Sequence, residues 1–165
     1  VDGFRSAEMR ALVPQILSQR LMVCVMHMQG QPQTMQVDPH YDDAVSEVYG
    51  FLTTQRDRLM ALGLEQSQIL LDPGFGFGKT VTHNLQLVNW LSLFHGLGVV
   101  VLFGASRKSS IAKISAGEPA EARLAGSLAL AAAAWRQGAQ IIRVHDVAET
   151  AQALAVEAAL RATDS

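Results

Sequence analysis

Only one cysteine, Cys24, occurs in the 165 residues, so no disulfide can form within the chain. A reducing compartment is the matching expectation. That cysteine lies inside the apolar run Leu21-Met22-Val23-Cys24-Val25-Met26, where a buried, inert thiol is expected rather than a nucleophile. Long hydrophobic runs are missing as well. The longest, Leu128 to Trp135, has eight residues, against about 20 for a helix that crosses a bilayer. Asp2, Arg5, Glu8 and Arg10 interrupt any apolar leader at the N-terminus, and a cytoplasmic location is expected. Charge of one sign is not in excess: the net charge is −2, and the 13 Lys and Arg are scattered rather than gathered into a stripe. Nucleic acid is therefore a poor partner, and no membrane partner is expected. Cys/His spacing of the metal-ligand kind is absent too. What remains, at 49% hydrophobic and 17% charged residues, is the composition of an ordinary globular domain with one core.

Short apolar runs without alternation occur at 21–26, 69–71, 99–103 and 141–144, each followed by a loop and then a helical pattern. Uninterrupted apolar strands are those buried on both faces, as in parallel sheets. Helices are expected over about 42–62, 83–95 and 119–137, stopped by Gly63, Gly96 and Gly138. Another begins after Asp146, with Asp146 and Glu149 forming a capping box, and a leading helix covers about 6–17. The order is α/β with a parallel sheet of about four strands. An open doubly wound sheet suits the length, whereas a complete (β/α)8 barrel needs about 250 residues. Polar chemistry nevertheless comes after all four strands: His27 and Gln29, then Asp72, then Ser106-Arg107-Lys108, then Arg143 and His145. In a barrel every strand end faces one mouth, so four loaded ends favour half a TIM barrel.

Residues 72–80 read DPGFGFGKT. The triphosphate-loop signature G-x-x-x-x-G-K-[ST] ending at Thr80 requires glycine where Pro73 stands, and G-x-G-x-x-G started at Gly74 requires glycine where Lys79 stands. Both phosphate readings fail by one residue, and Lys79 is left without a task. The alternative centres on Asp72, whose carboxylate offers two coplanar acceptors to a flat heterocycle with adjacent N–H groups, walled by Phe75 or Phe77. A purely structural turn, with Asp72 capping nearby backbone N–H groups, is the competing account.

In the third loop Lys108 supplies a mobile cation and Ser109 a hydroxyl. Cations at a helix N-terminus oppose the macrodipole, which points to an anionic or electron-rich ligand. Arg143 and His145 share one face of the last strand by period two and form a candidate clamp for phosphate or diphosphate. Pairing of Arg143 with Asp146 or Glu149 is the alternative. The methionines around His27 either floor an apolar pocket or pack in the core. His40, Asp42 and Asp43 read as an N-cap rather than a metal site.

Taken in order, M-H-M-Q-G, D-P-G-F-G-F-G-K, S-R-K-S and R-V-H-D resemble the dihydropteroate synthase family over essentially the whole chain. The resemblance implies that residues 1–165 form one partial pterin-binding TIM-barrel domain, strands five to eight, with the N-terminal half absent. It implies condensation of 6-hydroxymethyl-7,8-dihydropterin diphosphate with 4-aminobenzoate in folate biosynthesis, with sulfonamides competing for the aminobenzoate site and the truncated chain inactive by itself. By position, Asp72 binds the pterin's amino edge, Met26 packs near it, and Lys108 contacts the pterin and lines the aminobenzoate site. Phe77 and Ser109 border the aminobenzoate, while Arg143 and His145 hold the diphosphate; Lys108, Arg143 and His145 carry the catalytic roles. The family also implies Mg2+, with its ligand in the missing half, and a homodimer at full length. Two rivals stand beside it: a methyltetrahydrofolate methyltransferase relative, and a non-catalytic pterin- or diphosphate-binding half-barrel or assembly module.

Overall fold

The computed structural model describes residue 9 and residues 11–163. Four short strands, β1 (Val23–Met26), β2 (Ile69–Asp72), β3 (Val100–Phe103) and β4 (Ile141–Ile142), form one parallel sheet in the order β1-β2-β3-β4. The helices are α1 (Val13–Ser18) ahead of β1, α2 (Ala44–Ala61), α3 (Val81–Asn89), α4 (Ser109–Ile114) and α5 (Leu124–Arg136) between strands, and α6 (Val147–Ala162) after β4. Strand order that matches chain order, with a helical crossover between neighbours, is the arrangement of a β/α barrel segment.

Register explains which side chains face where. Met26 lies opposite Asp72, Leu70 opposite Val100, and Leu102 opposite Ile141, so the period of two separates two faces. One face, with Val23, Val25, Ile69, Leu71, Val101 and Phe103, is buried against the helices. Each such side chain contributes about 1.5–3 kcal/mol by leaving water. The opposite face, with Cys24, Met26, Leu70, Asp72, Leu102 and Ile141, carries the site. Burial on both faces, as the unbroken apolar runs imply, therefore holds for β2 but not for the others. Cys24 is exposed rather than buried, because it points to this second face; partial burial and then the Asp72 carboxylate still push its thiol up to about 11.

Helix α2 matches the expected span closely. Asp43 caps it by accepting from the N–H groups of Val45 and Ser46 at 3.0 and 3.2 Å, as the N-cap reading predicts. Its buried positions Ala44, Val48, Leu52, Gln55 and Leu59 fall at helical spacing. The helix expected over 83–95 divides instead: α3 starts earlier on the Thr80 cap, then a 3-10 segment covers Leu91–Leu97. Its buried residues Leu91, Phe94 and Leu97 recur every third position, which suits three residues per turn. The helix expected from 119 starts at Leu124, because Pro119 caps a separate 3-10 turn at Ala120–Ala122. Helix α4 is an addition to the expected set.

β4 stops after two residues, Ile141 being 37% exposed, whereas the apolar pattern suggests 141–144. Among the described residues it pairs only with β3. The capping box at Asp146 does not form: Arg107 takes the carboxylate, through Nε to Oδ2 at 3.0 Å and a short Nη2–Oδ1 contact. Part of the leading helix appears as α1; positions 6–8 and 10 of that expectation lie outside the described residues. No helix among the described residues is long and apolar enough to cross a membrane.

Candidate active site

At the carboxyl ends of the strands lies a cavity of about 410 Å³. β1 supplies Cys24 and Met26, β2 supplies Asp72, and the loop after β2 supplies Phe77. Leu102, Gly104 and Lys108 line it from β3 and its loop, and Arg143 closes the far side just beyond β4. Five of the predicted residues, Met26, Asp72, Phe77, Lys108 and Arg143, thus meet in one pocket. Ser109 and His145 lie outside its lining. Ser109 is exposed at the first turn of α4, and His145 is exposed, with its N–H donating to Ser106 Oγ at 3.2 Å and its Nδ1 3.0 Å from the same oxygen.

Asp72 is 9% exposed. Its Oδ1 accepts the Gly74 N–H at 2.7 Å, and no other donor among the described residues reaches the carboxylate. The turn-capping account of Asp72 therefore holds for one oxygen and leaves the other without a donor among the described residues. Burial raises the Asp72 pKa, opposed by the Gly74 N–H and by the charges of Lys108, Lys79 and Arg143. Lys108 sits across the pocket. Its Nζ lies 3.9 Å from the Phe77 ring centroid and makes a short contact to the Phe75 carbonyl oxygen. Burial brings its pKa down to about 8, with Asp72 acting the other way and Arg143 reinforcing the shift. Phe75 is fully buried against Phe103 at 5.6 Å and is core, so the wall is Phe77.

The loop between β2 and α3 is held by side chains from several directions. The Gly74 and Phe77 carbonyls accept from Lys79 Nζ, each at 3.0 Å. The Gly76 carbonyl accepts from Gln36 at 2.5 Å, and the Gly78 carbonyl from Tyr41 Oη at 2.8 Å. Asn84 Oδ1 accepts the Gly76 N–H at 2.7 Å. Glycine is required at position 74, where φ is +72° and an added Cβ would stand 1.8 Å from the His27 carbonyl oxygen.

Arg143 is exposed, and its guanidinium makes no hydrogen bond to the described residues. Pairing with Asp146 or Glu149 is ruled out for Asp146 by its engagement with Arg107. The premise that Arg143 and His145 sit on a buried strand fails, since both come after the two-residue β4 and are themselves exposed. They are reachable cations rather than donors that burial forces to find an anion. Ser106, buried at 7% exposure, and Arg107 tie the third loop to the fourth. Arg107 adopts φ +59°, with its N–H on Ser127 Oγ at 2.9 Å.

Sequence reasoning missed Cys24, Leu102 and Gly104 as lining residues and Ser106 as the anchor of His145. The first three follow from register once Asp72 is placed, because they share its face. Among the described residues no group of three His, Cys, Asp or Glu side chains is placed to hold a metal ion.

A pocket that joins one buried carboxylate to two cations and an aromatic wall, at the ends of parallel strands, suits a flat, hydrogen-bonding ring that carries an anionic tail. The family model described as "Pterin binding enzyme" matches residues 3–145. The chain belongs to this pterin-binding enzyme family. It is 49% identical to dihydropteroate synthase of Escherichia coli K12 over 146 residues, covering 88% of this chain and 51% of that protein. The solved dihydropteroate synthase of Yersinia pestis with a sulfonamide drug superposes with a TM-score of 0.87 at 44% identity, over 92% of this chain and 55% of the other. That of Xanthomonas albilineans in complex with 7,8-dihydropteroate gives 0.87 at 39% identity, over 97% and 58%. The architecture is a partial TIM barrel, and the chain spans about half the length of the curated relatives it matches.

Proposed function

We propose that the chain supplies the pterin wall and the diphosphate side of a dihydropteroate synthase, a transferase of folate biosynthesis. The enzyme joins 4-aminobenzoate to 6-hydroxymethyl-7,8-dihydropterin diphosphate and releases diphosphate. The observation that carries this reading is the convergence of Asp72, Lys108, Phe77 and Arg143 on one cavity. In a relative with this fold, 7,8-dihydropteroate is the bound ligand.

In this reading the free Asp72 oxygen accepts from the amino edge of the pterin, with Met26 packed near the ring. Lys108 moves from the Phe75 carbonyl onto the ring, and Phe77 and Ser109 border the incoming aminobenzoate. The C–O bond to the diphosphate breaks first, the electron-rich dihydropterin carries the resulting positive charge, and the aminobenzoate nitrogen then forms the new C–N bond. Arg143, with His145 at the rim, stabilises the charge that grows on the leaving diphosphate, because a cation within reach of developing negative charge lowers the barrier to departure. The described residues do not suit a magnesium ion, so no step is routed through one; the expectation that its ligand lies elsewhere in the enzyme belongs to this proposal. So do a cytoplasmic location and a homodimer. The dimer is supported by the exposed Val156 and Leu160, one turn apart on α6.

The test is diphosphate release from the dihydropterin diphosphate and 4-aminobenzoate, measured for this chain alone and for a polypeptide of the relatives' full length that contains it. Turnover at full length and not in the chain alone is expected. A full-length polypeptide that binds pterin yet never releases diphosphate would leave only the non-catalytic binding module.

A further inference from the structure

Lys79 is the cation that the phosphate-loop readings invited and then left idle. It is 3% exposed, more deeply buried than any other charged side chain among the described residues. Its Nζ reaches three groups at once: the Gly74 carbonyl at 3.0 Å, the Phe77 carbonyl at 3.0 Å and His27 Nδ1 at 2.9 Å. Gly74 lies two residues past Asp72 and donates to its carboxylate. Phe77 is the aromatic wall. His27 closes the end of β1, with its N–H donating to the Asp72 carbonyl at 3.0 Å, and its ring meets Phe51 edge-on at 4.9 Å.

We propose that Lys79 is a positioning residue for the pterin site: its buried amine staples Gly74, Phe77 and His27 together, fixing the free oxygen of Asp72 and the Phe77 ring in the geometry that receives the heterocycle. Lys79 is absent from the cavity lining, so it acts through the loop and not by contact with ligand.

The donor count supports the assignment. A protonated amine offers three N–H donors, matching two carbonyls and one ring nitrogen. A neutral amine offers two donors and one acceptor, matching the same carbonyls and a His27 that carries its proton on Nδ1. The three contacts are therefore satisfied in either protonation state if the His27 tautomer adjusts, and a pKa brought down to about 7 by burial does not undo the staple. Asp72 and Lys108 are the charged groups that act on it, and the Tyr41 ring lies 6.0 Å away. A methionine of similar length fills the space and removes every donor, leaving the buried Gly74 carbonyl and the part-buried Phe77 carbonyl with fewer partners.

The pterin-affinity arm rests on the function proposed above, and the loop arm does not. In Lys79→Met, amide hydrogen exchange at Gly74 to Gly78 and the Phe77 ring resonances are compared with wild type by NMR, and 6-hydroxymethylpterin affinity is measured by titration. The expected result is exchange about tenfold faster at those amides, shifted Phe77 resonances, unchanged exchange in β2 and α2, and affinity about tenfold weaker. Lys79→Gln, which keeps a shorter donor, stands in if the methionine variant does not fold, and its effects are expected in the same places. Unchanged loop exchange with unchanged affinity overturns the proposal. So does faster exchange spread evenly over the chain, which marks a residue of global stability only. If the wild-type chain binds no pterin, the pterin-binding reading fails for this chain, and the loop exchange alone decides the staple.

Discussion

The loops after β2 and after β4 meet at one cavity and are built in opposite ways. β2 has a partner strand on either side and is buried throughout. Its loop takes hydrogen bonds from Lys79, Lys108, Gln36 and Tyr41 on successive carbonyls. β4 has two residues, Ile141 exposed and Ile142 half-buried against the core, and the loop beyond it is anchored by Ser106 and by Arg107 with Asp146. A flat ring is recognised by direction, so its carboxylate and aromatic wall need a rigid frame. A diphosphate is recognised mainly by charge, which tolerates reachable side chains with freedom to adjust. Under the proposed function, the rigid loop receives the heterocycle and the reachable cations face the leaving group.

The sharpest way to break the rigid half is Gly74→Ala. The new Cβ would stand 1.8 Å from the His27 carbonyl oxygen at φ +72°, so a loss of at least about 3 kcal/mol is expected in urea unfolding. Next comes Asp72→Asn, which replaces a charge-assisted acceptor in a buried site. Pterin affinity is expected to fall about 10- to 100-fold by calorimetry, with diphosphate affinity retained. The third effect is a pH dependence of stability. The unfolded chain holds the Lys79 proton to about pH 10.5, the folded chain only to about 7. The unfolded state therefore binds more protons between these values, and stability rises with pH across the window. Lys108, brought down to about 8, adds in the same direction. Lys79→Met should flatten the lower part of that rise in denaturant titrations at stepped pH. The smallest effect is expected on the loosely built side: Ser106→Ala frees His145 and should weaken diphosphate binding only a few-fold, with pterin binding unchanged.

The same contrast governs how much was legible from residues alone. The first three apolar runs became strands close to their expected positions because neighbours on both sides, or helices beneath, reward an unbroken hydrophobic segment. The fourth run shortened to Ile141–Ile142, its last ladder bond being the Arg143 N–H to the Phe103 carbonyl at 2.8 Å; β1 is also an edge strand and keeps four residues, so edge position alone does not set the length. Asp43 capped its helix as local pattern predicts, since its partners lie two and three residues away. Asp146 did not, because Arg107, 39 residues earlier, offers two charged donors at once. Asp72, Lys108 and Arg143 could be named from their places just past strand ends. The buried role of Lys79 could not, since its partners are backbone carbonyls and a histidine at the end of β1, none of which leaves a mark in the order of residues. Cys24 was misplaced for a related reason: an unbroken apolar run does not say which face of its strand is covered.

The central claim is that ring and tail are held by separate parts of one pocket, Asp72 on the rigid side and Arg143 on the other. Calorimetric titration of Arg143→Ala with 6-hydroxymethylpterin and with its diphosphate ester tests this most directly. The predicted result is about tenfold weaker binding of the diphosphate ester and unchanged binding of the diphosphate-free pterin. Equal losses for both ligands would contradict that division of labour.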